Sequence, residues 1–370
     1  MILLCLCGYF CRMTVDILII GQGICGTMLS HYLEKSGLSF LVIDECKPLT
    51  PSRIAAGIVN PVTGRRIVKT WMIDELMPFA WNEYKLIGKE LNIQCIAQKK
   101  IIDFFPSAQM LDAFMKRYEE DKQYLAKPEE DKTWNEFFNF DFGYGEIQPC
   151  YLIDIPALLT AYRNKLINEH QLKEERFIIE KLIVDKNKIV YHDIHASKII
   201  FCDGIAGFEN PYFKNLPFAP NKGEVLIIEA DLPANEYIYK KGMALVPWND
   251  LQFWVGSSYE WEFKNDNPTE TFRNKTESLL KQWLKIPFKI INHYAAVRPA
   301  TLERRPFVGF HPTYKNIGIF NGMGTKGCSL APFFANQLCQ SLYDESLLMP
   351  EVNVRRFSKI LGRDIATPGD

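Results

Sequence analysis

Hydrophobic positions along this chain follow different rhythms in different segments. From Thr14 onward, Val15, Ile17, Leu18, Ile19 and Ile20 form a nearly continuous apolar run of strand length, halted by Gly21. A run without polar alternation predicts a strand buried on both faces. Residues 24–36 carry Met28, Leu29, Tyr32 and Leu33 at helical spacing, and Ser36-Gly37 ends the helix. Phe40-Leu41-Val42-Ile43 gives a second buried strand, which stops at Asp44. Strand, glycine turn, helix and strand in this order predict a βαβ unit with a right-handed crossover.

Beyond residue 75 the chain is richer in aromatic and charged positions, with helices predicted over 74–90 and 107–123 and a strand over 94–104. Ile155, Leu158, Leu159, Tyr162 and Leu166 make 154–169 an amphipathic helix. Strand-like 177–184 and 188–192 lead into 198–202, whose apolar run suits another core strand of the first domain. Residues 222–263 read as several strands of an antiparallel sheet, rich in Val, Ile, Trp and Tyr. Asn267-Pro268 supplies a cap and first-turn proline for a helix to about 284. A short strand at 317–320, a loop with three glycines at 321–327 and a helix at 329–343 close the pattern. The order implies two interleaved domains, for which 370 residues are ample.

Composition narrows the function. Hydrophobic residues at 47% and charged residues at 24% are ordinary globular values, so a disordered or fibrous chain is excluded. Lys+Arg 43 against Asp+Glu 44 leaves a net charge of −1 and no global positive field, which disfavours a nucleic-acid reader. The ten cysteines include no CxxC pair, so neither a disulfide framework nor a zinc site is expected, and a reducing, cytoplasmic location fits. The opening MILLCLCGYF is too short to span a bilayer and has no basic residue before it. Residues 1–12 either belong to the mature chain or derive from a start upstream of Met13.

The densest chemical signal is Gly21-Gln22-Gly23-Ile24-Cys25-Gly26, a G-x-G-x-x-G between a buried strand and a helix, with Asp44-Glu45 at the end of the next strand. Gly21 allows the tight turn, Gly23 lets backbone approach a pyrophosphate at the positive helix end, and Gly26 allows helix and strand to pack closely. Asp44 is placed to accept from adenosine ribose hydroxyls. The motif alone does not choose between NAD and FAD.

Further pieces do. Ser52 to Pro61, Lys222-Gly223-Glu224-Val225, Val246-Pro247-Trp248 with Val255-Gly256-Ser257-Ser258, Val297-Arg298-Pro299-Ala300-Thr301 with Pro306-Phe307-Val308-Gly309, and Gly322-Met323-Gly324-Thr325-Lys326-Gly327 with Leu330-Ala331-Pro332 follow the dinucleotide motif in order. From about residue 14 to 343 the chain resembles the D-amino-acid oxidase family of flavoproteins, the branch with glycine oxidase, sarcosine oxidase and the oxidoreductase half of the tRNA-modifying MnmC protein. The resemblance implies an α/β fold in which an FAD-binding, Rossmann-like domain (14–75, 146–215 and 295–370) is interleaved with an antiparallel-sheet substrate domain (76–145 and 216–294). It implies non-covalent FAD, with Gly21, Gly23, Ile24, Gly26, Asp44 and Glu45 at the ADP part. Ser52, Arg53, Ala56, Gly57, Ile58, Asp203, Gly204 and the loop Gly322, Met323, Gly324, Thr325, Lys326 and Gly327 would serve the rest, the flavin ring lying near 56–58 and 322–327.

Three residues are candidates for the reaction. Arg298 stands in the apolar stretch Ala295-Ala296-Val297-Arg298-Pro299, where a lone cation is costly unless an anion meets it. Its fork suits a substrate carboxylate, the role of the matching family arginine; an internal salt bridge is the structural alternative. Lys326 matches a lysine that assists with the carboxylate in the sarcosine-oxidase version of the loop, or is a surface lysine. Tyr259, with Trp261, either walls the substrate or belongs to the core. The sequence has no GxSxG elbow or GxxxxGK[ST] loop, His192-x-x-His195 lacks a third ligand, and Arg65, Arg66, Lys69 and Trp71 read as a solvated face before an RNA contact. The expected activity is oxidation of the C–N bond of a small amino acid or secondary amine by hydride transfer to flavin N5. A 2-hydroxy acid dehydrogenase, a tRNA wobble-uridine oxidoreductase and a non-catalytic dinucleotide-binding protein are the alternatives.

Overall fold

The computed structural model describes residues 12–128, 134–186, 188–233 and 236–362, so the question of an upstream start falls almost wholly outside the described residues. The predicted βαβ unit is present: strand Met13–Ile20, helix Ile24–Lys35 and strand Phe40–Ile43, with parallel pairing from Ile17↔Phe40 to Ile20↔Ile43. Ile194–Phe201 lies parallel on the other side of Met13–Ile20, and Ile317–Asn321 lies parallel beyond it. The expected core strand 198–202 is the second half of this longer strand. Leu172–Lys173 extends the sheet past Phe40–Ile43, while Phe307–Phe310 and the hairpin Leu182–Asp185 with Lys188–Tyr191 add antiparallel strands.

Alternation explains why the opening strand reads as uniformly apolar. Ile17 and Ile19 face one core, with the helices Ile24–Lys35, Ile155–Asn168 and Gly327–Ser341, whereas Leu18 and Ile20 face a second core with Phe213, Leu216 and Val354. Each face needs its own hydrophobic set, since successive side chains point oppositely.

A second sheet has the order Phe288–Arg298, Asn221–Ala230, Gln252–Gly256, Met243–Asn249, Tyr237–Lys241, Ile96–Phe104, Tyr144–Ile153 and Ile58–Val59. Its pairs are antiparallel except Tyr237–Lys241 with Ile96–Phe104. Val225, Ile227, Val246 and Trp254 face the core shared with the first sheet. Leu226, Ile228, Leu245 and Phe253 face an outer core closed by Leu280 and Trp283 of the helix Glu270–Trp283.

Several elements differ from expectation. Within 177–184, residues Ile179–Lys181 form a 3-10 turn and pairing starts only at Leu182. No named strand continues past Gly256 toward 263. The cap of the helix after 267 is Thr269, whose hydroxyl accepts from Phe272 N, rather than Asn267. The strand Phe288–Arg298 was not foreseen, because Lys289, Asn292 and His293 interrupt the apolar pattern on a sheet-edge strand. The strand Tyr144–Ile153 was likewise absent from the sequence reading and lies wholly in the second sheet.

Candidate functional site

The strands Met13–Ile20, Phe40–Ile43 and Ile194–Phe201 end side by side, so Gly21, Asp44 and Cys202-Asp203 share one edge. Gly21 N donates to Ile43 O and Cys202 N to Ile20 O, both at 2.8 Å. The chain leaves the opening strand toward one side of the sheet and returns on the other, which makes this edge a topological switch point. Gly21 has φ +99°, and a Cβ there would lie 2.6 Å from Cys202 O. A Cβ on Gly26 would stand 1.9 Å from Gly21 O, so only glycine lets the helix start this close to the strand. Gly23 caps the helix without a side chain, and Ile24 N donates to Ser52 Oγ at 3.2 Å.

From this edge a cavity of about 1070 Å³ runs between the two sheets. That is at the top of the ordinary range for small-molecule sites, roughly 300–1,000 Å³. Every residue expected from the sequence to hold the cofactor lines it, apart from Gly26 and Gly322. Those two are packing positions: Gly322, at φ +82°, would bring a Cβ within 2.7 Å of Thr301 Cγ2. Gly57 joins the first segment to the second sheet, with Ile153 N donating to its carbonyl at 2.9 Å, and Trp254 Nε1 donates to Ile54 O at the same distance.

Asp44 is held more firmly than its motif suggested. Its carboxylate accepts from Gln22 N, Cys46 N and the guanidinium of Arg163, a residue of helix Ile155–Asn168 that the sequence reading missed. Glu45 pairs with Lys47 at 2.8 Å. Asp203 accepts from Asn210 Nδ2 and Asn321 Nδ2, and burial pushes its pKa up to about 6. At the other end of the lining, Gly324 N donates to Pro299 O, and the helix Gly327–Ser341 begins without a side-chain cap.

Arg298, the last residue of its strand, lines the same cavity. Nη1 donates to Asn221 Oδ1 at 2.7 Å and Ser258 O at 3.2 Å, Nη2 to Ser257 Oγ at 2.7 Å, and the guanidinium lies 4.9 Å from the Tyr259 ring centre. These partners are neutral, and among the described residues no ion pair engages it. Burial depresses its pKa, the sign of a cation short of counter-charge. Gly223 leaves room for it, since a Cβ there would meet Nη2 at 1.8 Å and push the guanidinium off its present bonds. The segment carrying Ser257, Ser258 and Tyr259 is tied to the strand Asn221–Ala230 by Ser258 N to Glu224 O, Glu224 N to Ser258 Oγ, and reciprocal backbone bonds between Lys222 and Glu260.

Lys326 also lines the cavity; burial, with Arg305 and Arg304 nearby, lowers its pKa to about 8. It is therefore not a freely solvated lysine. Tyr259 and Trp261 are both more than half exposed, which removes the core alternative, and only Tyr259 lines the cavity. The 65–71 cluster disperses: Lys69 pairs with Asp74, and Trp71 stacks on Phe334 while the Arg305 guanidinium sits 3.9 Å from its ring centre. Among the described residues no group of three or more His, Cys, Asp or Glu could hold a metal.

The family described as DAO, FAD dependent oxidoreductase, matches residues 16–341. The chain therefore belongs to the DAO family and is an FAD-dependent oxidoreductase. Glycine oxidase of Bacillus subtilis (strain 168) is 26% identical over 149 residues, 38% of this chain and 39% of that protein, and glycine oxidase of Pseudomonas aeruginosa is 27% identical over 149 residues, 40% of its length. The matched region thus spans about two fifths of these curated relatives. Among solved structures, glycine oxidase from Geobacillus kaustophilus aligns with TM-score 0.75 and 16% identity over 95% of this chain and 100% of that one. Iminodiacetate oxidase from Chelativorans sp. BNC1 aligns with TM-score 0.72 and 18% identity over 93% and 98%. At such identities these structures show the fold.

The residues present fit FAD. The turn at Gly21 and Gly23 offers backbone N–H groups at a helix start, Asp44 faces the cavity with an acceptor oxygen, and the cavity continues past Ala56, Gly57 and Ile58 to Arg298.

Proposed function

We propose that this oxidoreductase oxidises the C–N bond of a small amino acid or secondary amine that carries a carboxylate. One observation supports the reading above the others: Arg298 presents a half-buried guanidinium to the cavity with only neutral groups bonded to it. A carboxylate meeting that fork would supply the missing charge and fix the adjacent carbon against the flavin side of the cavity. Bound FAD would supply the hydride acceptor, its N5, for this oxidation. The chain's part is to orient and to exclude water; a neutral amine can release hydride from its α-carbon without a protein base. Non-covalent attachment of FAD is supported by the cavity-lining thiols Cys25, Cys202 and Cys328, all buried with raised pKa values, so none is a ready thiolate nucleophile.

The interleaving of the chain is supported by the two sheets, the first as the cofactor-binding unit and the second as the substrate unit, but Ile58–Val59 and residues 146–153 and 295–298, expected in the cofactor-binding segments, pair in the second sheet. A cytoplasmic location is supported by free cysteines at all seven described positions. No helix among the described residues is long and apolar enough to cross a membrane.

The test is anaerobic addition of amino acids, secondary amines and 2-hydroxy acids to the holoprotein while the flavin absorbance is followed. Bleaching by carboxylate-bearing amines supports the proposal. Bleaching by 2-hydroxy acids alone transfers the same Arg298 clamp to an alcohol substrate, and no bleaching by any member overturns both. Arg298→Ala should keep FAD but weaken capture of the active compound by about 2–5 kcal/mol, the cost of truncating one partner of a buried charge pair. Arg298→Lys should recover part of that, because an ammonium lacks the planar grip. Loss of FAD with unchanged substrate affinity in the remaining holoprotein would make Arg298 a structural residue.

A further inference from the structure

The carboxylate of Asp44 is nearly saturated by the protein itself. Oδ2 accepts from Gln22 N at 2.9 Å, and Oδ1 accepts from Cys46 N at 2.9 Å and from Arg163 Nη1 at 2.7 Å. A carboxylate offers about four lone-pair sites, so a single acceptor position remains, on Oδ2. Arg163 is 7% exposed and is itself locked: Nη1 also reaches Gln22 Oε1 at 3.2 Å, and Nη2 donates to Glu174 Oε2 at 2.8 Å. Gln22 is fixed in turn by donating Nε2 to Thr27 Oγ1 and Leu159 O, each at 3.1 Å. The guanidinium cannot swing aside without breaking contacts to several residues.

We propose that Arg163 is a positioning residue for the adenosine ribose: it fixes the Asp44 carboxylate in one orientation and fills Oδ1, so that Asp44 accepts from one ribose hydroxyl and not from two. The inference rests on the placement of the ADP part of FAD at Asp44. The arginine has a second effect, since its charge offsets that of Asp44 and reduces repulsion of the diphosphate expected at the neighbouring glycine turn.

The experiment uses the full-length holoprotein and follows release of FAD fluorescence as ADP, 2′-deoxy-ADP or 3′-deoxy-ADP displaces the cofactor. One deoxy analogue should displace about tenfold less well than ADP and the other should match it, the loss expected for one hydrogen bond to a charged acceptor. Arg163→Gln should weaken FAD binding and bring the two analogues to within about twofold of each other, with Arg163→Lys intermediate. Equal weakening of both analogues on the unsubstituted protein would overturn the one-hydroxyl inference even if the Arg163 variants failed to fold. Full discrimination in Arg163→Gln would remove the positioning role. If neither analogue is weakened, Asp44 does not meet the ribose, and the underlying placement falls with the inference.

Discussion

Lys326 has an ammonium that titrates close to working pH, because burial and two nearby arginines bring it to about 8. Below that value Lys326 adds a positive charge to the lining it shares with Arg298; above it that charge is lost. Binding of a carboxylate inhibitor should therefore weaken as pH rises through about 8, and Lys326→Met should flatten that step, as a titration of inhibitor affinity against pH would reveal. Persistence of the step in the variant would assign it to another group. The stability sign is opposite. A lysine with lowered native pKa binds fewer protons folded than unfolded between about 8 and its ordinary 10.5, so this group favours the fold increasingly as pH rises across that window. Gly26→Ala tests the turn itself: a Cβ 1.9 Å from Gly21 O forces the helix start away from the strand. The variant should purify without flavin, and retained yellow colour at full occupancy would contradict the geometry. At this scale the sequence showed Gly21, Gly26, Asp44 and Arg298, whose residue types are demanded by a turn, a close approach or a charge. It hid Arg163, because an arginine on an amphipathic helix looks like any solvated cation until the fold brings it to Asp44.

The helix Glu270–Trp283 depends on Thr269 twice over. The hydroxyl caps Phe272 N, and both the hydroxyl and the backbone N–H of Thr269 donate to the fully buried Glu224, at 2.9 and 2.6 Å. Burial raises the pKa of Glu224, but the Thr269 bonds and Lys222 outweigh it and leave the net shift downward. Stability from this group is thus present above the ordinary glutamate range and lost as pH falls below it. Thr269→Ala removes the cap and one partner of a buried carboxylate, so it should cost about 1–3 kcal/mol, measured by denaturant unfolding, while Thr269→Ser should cost less. A neutral Thr269→Ala would mean that water replaces the hydroxyl. Elements with clean periodicity were legible: Ile24–Lys35, Ile73–Leu91, Ala108–Glu120 and Ile155–Asn168 all lie close to their expected spans. Phe288–Arg298 and the Thr269 cap were not, since the first is an edge strand with polar positions and the second is chosen over Asn267 by the tertiary bond to Glu224.

Across the whole molecule the cavity lies between the sheet built on the βαβ unit and the largely antiparallel second sheet, so whatever fills it touches both. Withdrawing FAD should lower the melting temperature, because a ligand at one hundred times its dissociation constant adds about 2.7 kcal/mol to native stability. Trp254, whose side chain lines the cavity, should change its fluorescence on FAD rebinding. Identical melting with and without cofactor would argue that the sheets are joined independently of it. Interleaving was visible in the sequence as a return of glycine turns and short apolar strands near 317–327, long after the first βαβ unit. The assignment of Tyr144–Ile153 to the second sheet was not, because only pairing with Ile96–Phe104 decides it.

The pairing of Met13–Ile20 with Ile194–Phe201 also bears on how the chain is made. During synthesis the strand Met13–Ile20 gains Phe40–Ile43 on one side while its other neighbour is not yet translated. At ribosomal speeds of about 5–20 residues per second, that apolar edge stays bare for roughly 10 to 40 seconds. The floor of the dinucleotide turn, Cys202-Asp203, arrives with the late strand, so a nascent chain cannot take up its nucleotide until Ile194–Phe201 has left the ribosome. Cofactor loading therefore follows, and cannot precede, closure of the first sheet around Met13–Ile20.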